Sequence, residues 1–321
     1  MAARSYTDAV GEALQRLRGV GYEHGPALVN HAPMAAEALA HLGYADAVPD
    51  WVEHNLRVRR HHRPPEARWR LSGEDTADWV SALGDFSRVA DWSEMFQRAL
   101  AEQPWTEVLD RWWPRLLPGI SGALTHGVIR TAHAIRAVAL ATDDNGLQRR
   151  ELAESLGYWA ARYSGPKPAG ATTETHSSGT ADAVVALDEL IVDSAGFYAR
   201  TRPSFPVPLI HAITAPAAVR LVCEYLPEAQ RWPSYLAARR CSDTMRSHFG
   251  SMSSGACPTL PTSVPPDPAA EAELVAAAVE LGDEHAIKLA EVAIRQNALL
   301  PDQRYALAST AATRQIKRNP F

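Results

Sequence analysis

Cysteine, strand-forming patterns and long apolar runs are all scarce in this 321-residue chain. Its three cysteines (Cys223, Cys241, Cys257) are too few for a disulfide framework and lack the paired spacing of a zinc site. A reducing cytoplasm is therefore the expected compartment. No stretch reaches the roughly 20 apolar residues that a membrane-spanning helix needs. The N-terminal Met1–Tyr6 leads into an amphipathic segment carrying Asp8 and Glu12, which is not the apolar core of a signal peptide. Positive charge is not in excess either. A net charge of −5 and a pI near 6.2 argue against nucleic acid or an anionic membrane surface as partner. There is no Gly-x-Ser-x-Gly elbow, which disfavours serine hydrolysis. Gly19-Val-Gly-Tyr-Glu-His-Gly25 has the wrong last spacing for a dinucleotide loop, and no strand precedes it.

What is present is helix. Apolar residues recur at spacings of three and four through an Ala-, Leu-, Arg- and Glu-rich sequence. The pattern predicts helices near 5–18, 33–42, 45–57, 75–82, 86–101, 104–117, 120–141, 148–163, 181–197, 207–225, 232–249, 270–281, 283–297 and 302–314, punctuated by residues such as Gly43, Pro104, Gly165 and Pro301. Segments 58–70, 164–180 and 250–269 read as irregular. Composition does not change across them, and no repeat of fixed period appears. With 46% hydrophobic residues the chain can bury a large core, and the expected fold is one all-α domain spanning 1–321.

Lysine is the rarest basic residue: three lysines (Lys167, Lys288, Lys317) stand against 29 arginines. Lys288 lies one helical turn after His285, on the same face of a segment that reads as buried helix. Burying an ammonium costs several kcal/mol (on the order of the cost of other unpaired buried charges). Unlike arginine, a desolvated lysine can lose its proton and act as a base, a nucleophile or an acceptor of carbon dioxide. Segment 119–141 is apolar around most of its circumference yet carries His126, Arg130 and His133. His211 sits in the apolar Leu-Ile-His-Ala-Ile-Thr, and His31 at a proline-marked helix start. A lone histidine on an apolar face is usually a hydrogen-bonded core residue. Four on separate buried helices, joined by a buried lysine, point to a metal site, and imidazole suits iron, zinc, copper or nickel. His24/His31 and His126/His133 are each seven residues apart, about 10.5 Å along a helix, so one of each pair is the ligand candidate and the other lines the pocket. His41, His54, His61, His62, His176 and His248 lie in loops or on amphipathic faces. The basic run Arg57–Arg70 reads as a solvated loop, with a lid or steering patch as the alternative. Trp112, Trp113, Tyr158 and Trp159 read as core.

Asn30-His-Ala-Pro-Met34 followed by Glu37-Ala-Leu, then His126-Gly-Val-Ile-Arg130, His211-Ala-Ile-Thr and Asp283-Glu-His-Ala-Ile-Lys288 occur in an order and spacing that resemble the questin oxidase-like family, over about residues 20–300. The chain is shorter than the fungal members. The resemblance implies a helical enzyme that oxidises or opens rings of anthraquinones and related aromatic polyketides. In part of that family, iron is held by four histidines and a carboxylated lysine. Carried over motif by motif, the ligands are His31, His126, His211, His285 and Lys288 as its carbamate. Fe(II) is then the cofactor and O2 the co-substrate, and NADPH, where required, enters through a separate reductase. The substrate is a small aromatic polyketide, and a homodimer is compatible with the sequence. Asn30, Arg130, Thr214 and Glu284 adjoin the ligand candidates and are candidates to orient them; Arg130 and Glu284 read equally as ordinary ion-pair partners, and Asn30 reads first as a helix cap. His24, His133 and Arg130 are the candidates for substrate contact or proton transfer. Two alternatives compete: an NADPH-linked Baeyer–Villiger-type oxygenase without iron, and a non-catalytic helical binding scaffold with structural histidines.

Overall fold

The computed structural model describes residues 3–141, 146–167, 182–252 and 268–318. Its helices are α1 (Tyr6–Leu17), α2 (Ala32–His41), α3 (Val48–Val58), α4 (Thr76–Ala82), α5 (Val89–Glu102), α6 (Trp105–Leu116), α7 (His126–Leu140), α8 (Gly146–Ala161), α9 (Ala183–Ala199), α10 (Pro206–Val222), α11 (Glu228–Gly250), α12 (Pro268–Leu281), α13 (Glu284–Leu299) and α14 (Gln303–Arg318). The fold is all-α, as the periodicity predicts. The starts follow local chemistry: Ser5, Asp75, Asp182 and Asp283 each accept a first-turn amide hydrogen bond, while Pro33 and Pro206 open α2 and α10, where a missing N–H is harmless. No described helix is long and apolar enough to cross a membrane.

The sequence reading missed two features. A two-stranded antiparallel pair, β1 (Glu23–His24) with β2 (Leu28–Val29), leads into α2, and a bridge from His24 to His61 ties it to the segment read as irregular. The helix predicted over 120–141 is broken: Ala123, Leu124 and Thr125 have φ of 45°, 52° and 66°, and α7 begins only at His126. Close packing forces the break. A side chain at Gly122 would collide with the Arg162 carbonyl, and one at Gly127 would come within 2.7 Å of Trp159. Cys257, His176 and most of the segments 164–180 and 250–269 lie outside the described residues.

Four helices form a ring of neighbours: α2 packs on α7 and α13, and α10 packs on the same two. Three apolar clusters meet there. The largest holds Trp92, Trp112, Trp113 and Trp159 with the inner faces of α5–α8. A second joins α9, α10, α13 and α14, and a third joins α1, α2 and α3. Each helix of the ring contributes to two of the three clusters. A buried knot of charge also ties the ring. Arg136 of α7 donates to both oxygens of Glu37 on α2, at 2.7 and 2.6 Å, and also to Glu291 on α13. Tyr6 and His133 each bond Glu37 at 2.5 Å.

Candidate metal centre

Each helix of the ring brings one histidine to its middle. His31 is the N-cap of α2, His126 the first residue of α7, His285 the second residue of α13, and His211 lies one turn inside α10. All four are buried, and one ring nitrogen from each lies within 4.8 Å of the other three. The Nε2 atoms of His31 and His126 face each other at 2.6 Å. The ring centroids of His126 and His211 are 4.4 Å apart, and those of His31 and His285 are 4.6 Å apart.

On His126 and His211 a backbone carbonyl holds the outward nitrogen and turns the other one inward. His126 Nδ1 donates to the Ala123 carbonyl at 2.5 Å. His211 Nδ1 donates to the Leu124 carbonyl at 2.6 Å and lies 3.1 Å from the Thr125 hydroxyl. His285 Nδ1 lies 3.5 Å from Asp283, the carboxylate that caps α13. His31 Nδ1 is 3.7 Å from Glu284, which the Arg59 guanidinium grips at 3.0 and 3.1 Å. Burial first, and then the charge of Lys288, pushes protonation of His31 and His126 well below the usual imidazole range; for His211 the order is burial, His126, then Lys288. These rings are neutral at pH 7, and because His126 Nδ1 donates to Ala123, its Nε2 accepts from His31 Nε2 across the middle.

Four buried atoms of the histidine cluster and its lysine have no hydrogen-bond partner: His31 Nδ1, His211 Nε2, His285 Nδ1 and Lys288 Nζ. Leaving such groups unpaired costs roughly 1–3 kcal/mol each; a cation would satisfy the bare His211 nitrogen, and Lys288 only once its amine has lost a proton. Lys288 is 2% exposed, and burial holds its amine down to about 8, against the opposing pull of Glu284 and Asp283. The positive ends of α2, α7 and α13 also gather here, so a cation needs an anionic ligand beside the neutral imidazoles. The four buried histidines form a site that can bind a metal ion.

The centre opens on a cavity of about 690 Å³, within the roughly 300–1,000 Å³ of small-molecule pockets. His31, His126 and His285 line it together with Glu23, His24, Leu28, Val29, Arg59, Tyr158, Arg162, Tyr163 and Glu284. The wall is amphipathic. Arg162 donates to Glu23 at 2.8 Å and stacks over Phe86 at 3.9 Å, and the Tyr158 hydroxyl bonds the same carboxylate at 3.2 Å.

The structure thus gathers His31, His126, His211 and His285, buries Lys288 beside them and sets His24 in the cavity wall. It takes two expected catalytic residues out of that wall. Arg130 is clamped by Glu151 at 2.6 and 2.8 Å, and His133 by Glu37, because a buried guanidinium or imidazole this deep in α7 finds its carboxylate on the neighbouring helix. Asn30 bonds Gly21 and the Ala32 amide, both at 3.0 Å, fixing the entry to α2. The hydroxyl that reaches His211 belongs to Thr125. Trp112, Trp113 and Trp159 are core as expected, whereas Tyr158 is both core and cavity wall. Sequence reasoning missed Glu23, Arg59, Arg162 and the two carbonyls of the turn. Only Arg59 had a signal, as part of the basic run, and backbone carbonyls leave none. No family model matches this chain, and no curated protein matches it either.

Proposed function

We propose that this protein is an iron-dependent oxygenase of the questin oxidase-like type, acting on an aromatic polyketide of the anthraquinone, anthrone or hydroquinone class. The observation that carries the reading is the buried four-histidine cluster with an unpartnered lysine, opening on a cavity sized for a fused-ring substrate. His31, His126, His211 and His285 would hold Fe(II). Lys288 would join them once its neutral amine adds carbon dioxide, forming an N–C bond and releasing one proton, so that the carbamate supplies the missing negative charge. Bound iron would supply one-electron chemistry toward dioxygen at a position left open by the protein ligands.

The chain's own groups serve the substrate. Leu28, Val29 and Tyr163 offer apolar and aromatic surface to a planar ring system and exclude water. Burial and the Arg59 charge push the protonation of His24 downward, so its imidazole is free to accept a phenolic proton. The Arg59–Glu284 and Arg162–Glu23 pairs line the cavity, and their guanidinium groups would be the donors for substrate oxygens. Insertion of both oxygen atoms needs no external reductant. Incorporation of one needs two electrons, from a hydroquinone substrate or from NADPH through a reductase.

Anaerobic reconstitution with Fe(II) and bicarbonate tests the reading. The expected result is close to one iron per chain, and oxygen uptake with anthrone or anthrahydroquinone probes that His211→Ala abolishes. Substoichiometric iron, or uptake untouched by that substitution, refutes it and leaves a helical binding scaffold.

A further inference from the structure

We infer that the left-handed turn Ala123–Leu124–Thr125 is a tautomer clamp, setting His126 and His211 for metal before any cation arrives. Three consecutive non-glycine residues hold positive φ here. Each costs about 1–2 kcal/mol, and such strain persists only where the surroundings enforce it. Those surroundings are packing contacts made by the chain itself. Gly122 is pressed against the Arg162 backbone, Gly119 against the Tyr163 ring and Gly127 against Trp159.

The strain delivers two carbonyls. In a continuous helix the Ala123 and Leu124 oxygens would point along the axis toward amides four residues on. In the left-handed turn they meet His126 Nδ1 at 2.5 Å and His211 Nδ1 at 2.6 Å instead. A carbonyl can only accept, so each Nδ1 carries the hydrogen and each Nε2 is left bare, facing the centre. The two rings come from different helices and are set by adjacent peptide units of one turn. Ala123, Leu124 and Thr125 are therefore positioning residues. Their contribution is to remove the wrong tautomer, which would point an N–H at the ion. The inference rests on the metal reading of the histidine cluster, but on neither iron nor oxygen chemistry.

Two measurements decide it. In the full chain, stripped of metal by chelator and carrying 15N-labelled histidine, long-range proton–nitrogen correlation at pH 7.5 should find His126 and His211 wholly as the Nδ1–H tautomer, with resonances assigned through His126→Gln and His211→Gln. Averaged tautomers, or an Nε2–H form at either ring, overturn the clamp. Replacing Thr125 by its α-hydroxy acid analogue turns the Leu124–Thr125 amide into an ester and weakens the Leu124 carbonyl as acceptor, with every side chain kept. His211 should then sample both tautomers while His126 does not, and Zn(II) affinity should fall about tenfold or more. Unchanged affinity and an unchanged His211 tautomer would also overturn it. A wild-type chain that binds no Zn(II) yet shows both fixed tautomers keeps the clamp and removes the metal reading instead.

Discussion

Lys288 is the residue whose two environments, with and without metal, should give opposite results. In the metal-free protein its amine is buried, lacks a partner and is held near 8 instead of 10.5, so burying the charged form costs roughly 3 kcal/mol at neutral pH. Lys288→Met should therefore raise the stability of chelator-treated protein by up to that amount, measured by urea unfolding. The same substitution should weaken metal binding, because it removes the only group proposed to become an anionic ligand. A variant both less stable without metal and unimpaired in binding it would contradict that account. The sequence exposed this residue because lysine is so rare in the chain. Spacing alone did not separate His31 from His24 or His126 from His133; the motif resemblance was needed to name His31 and His126. What separates them is where α2 and α7 begin.

At the scale of elements, the break before α7 matters most. The apolar pattern over 120–141 is continuous, and nothing local forbids a helix there. Packing overrides it, because Gly122 is pressed against the Arg162 backbone just past α8 and Gly127 against Trp159 within it. Gly127→Ala, a favourable change for an isolated helix, should here destabilise the protein by about 1–3 kcal/mol through overpacking. It should also disturb metal binding, since His126 is the adjacent residue; calorimetric unfolding with and without Zn(II) reads both effects. The other helices were legible to within a few residues: α1, α5 and α6 bury one face, which is what periodicity reports, while α2 and α10, buried nearly all round, are marked by proline at their starts. The short strand pair and the turn carbonyls were not legible. The strand pair is a local hairpin with two residues a side, too short for an alternating pattern to register, and carbonyls are shared by every residue type.

The whole molecule should be sensitive to acid. His31, His126 and His211 protonate in the folded state only well below 6.5, whereas the unfolded chain takes up protons as the pH falls through that value. Stability is thus fully present above 6.5 and lost below it. In metal-free protein the urea midpoint should therefore drop on going from pH 7.5 to pH 5.5. Glu37, held at about 2, adds a further loss only below the ordinary carboxylate value of 4.5. Urea midpoints in chelator at the two pH values check this, and a flat profile would mean that the histidines are not buried neutral. Arg136 leads to a different consequence. One guanidinium joins carboxylates from two other helices of the ring, so none of the three can swing away without stranding a charge in oil. The histidine-bearing ends are thereby held at fixed separation by a lock several turns distant. An empty centre should keep its shape, and demetallation should leave a vacant socket instead of a collapsed one.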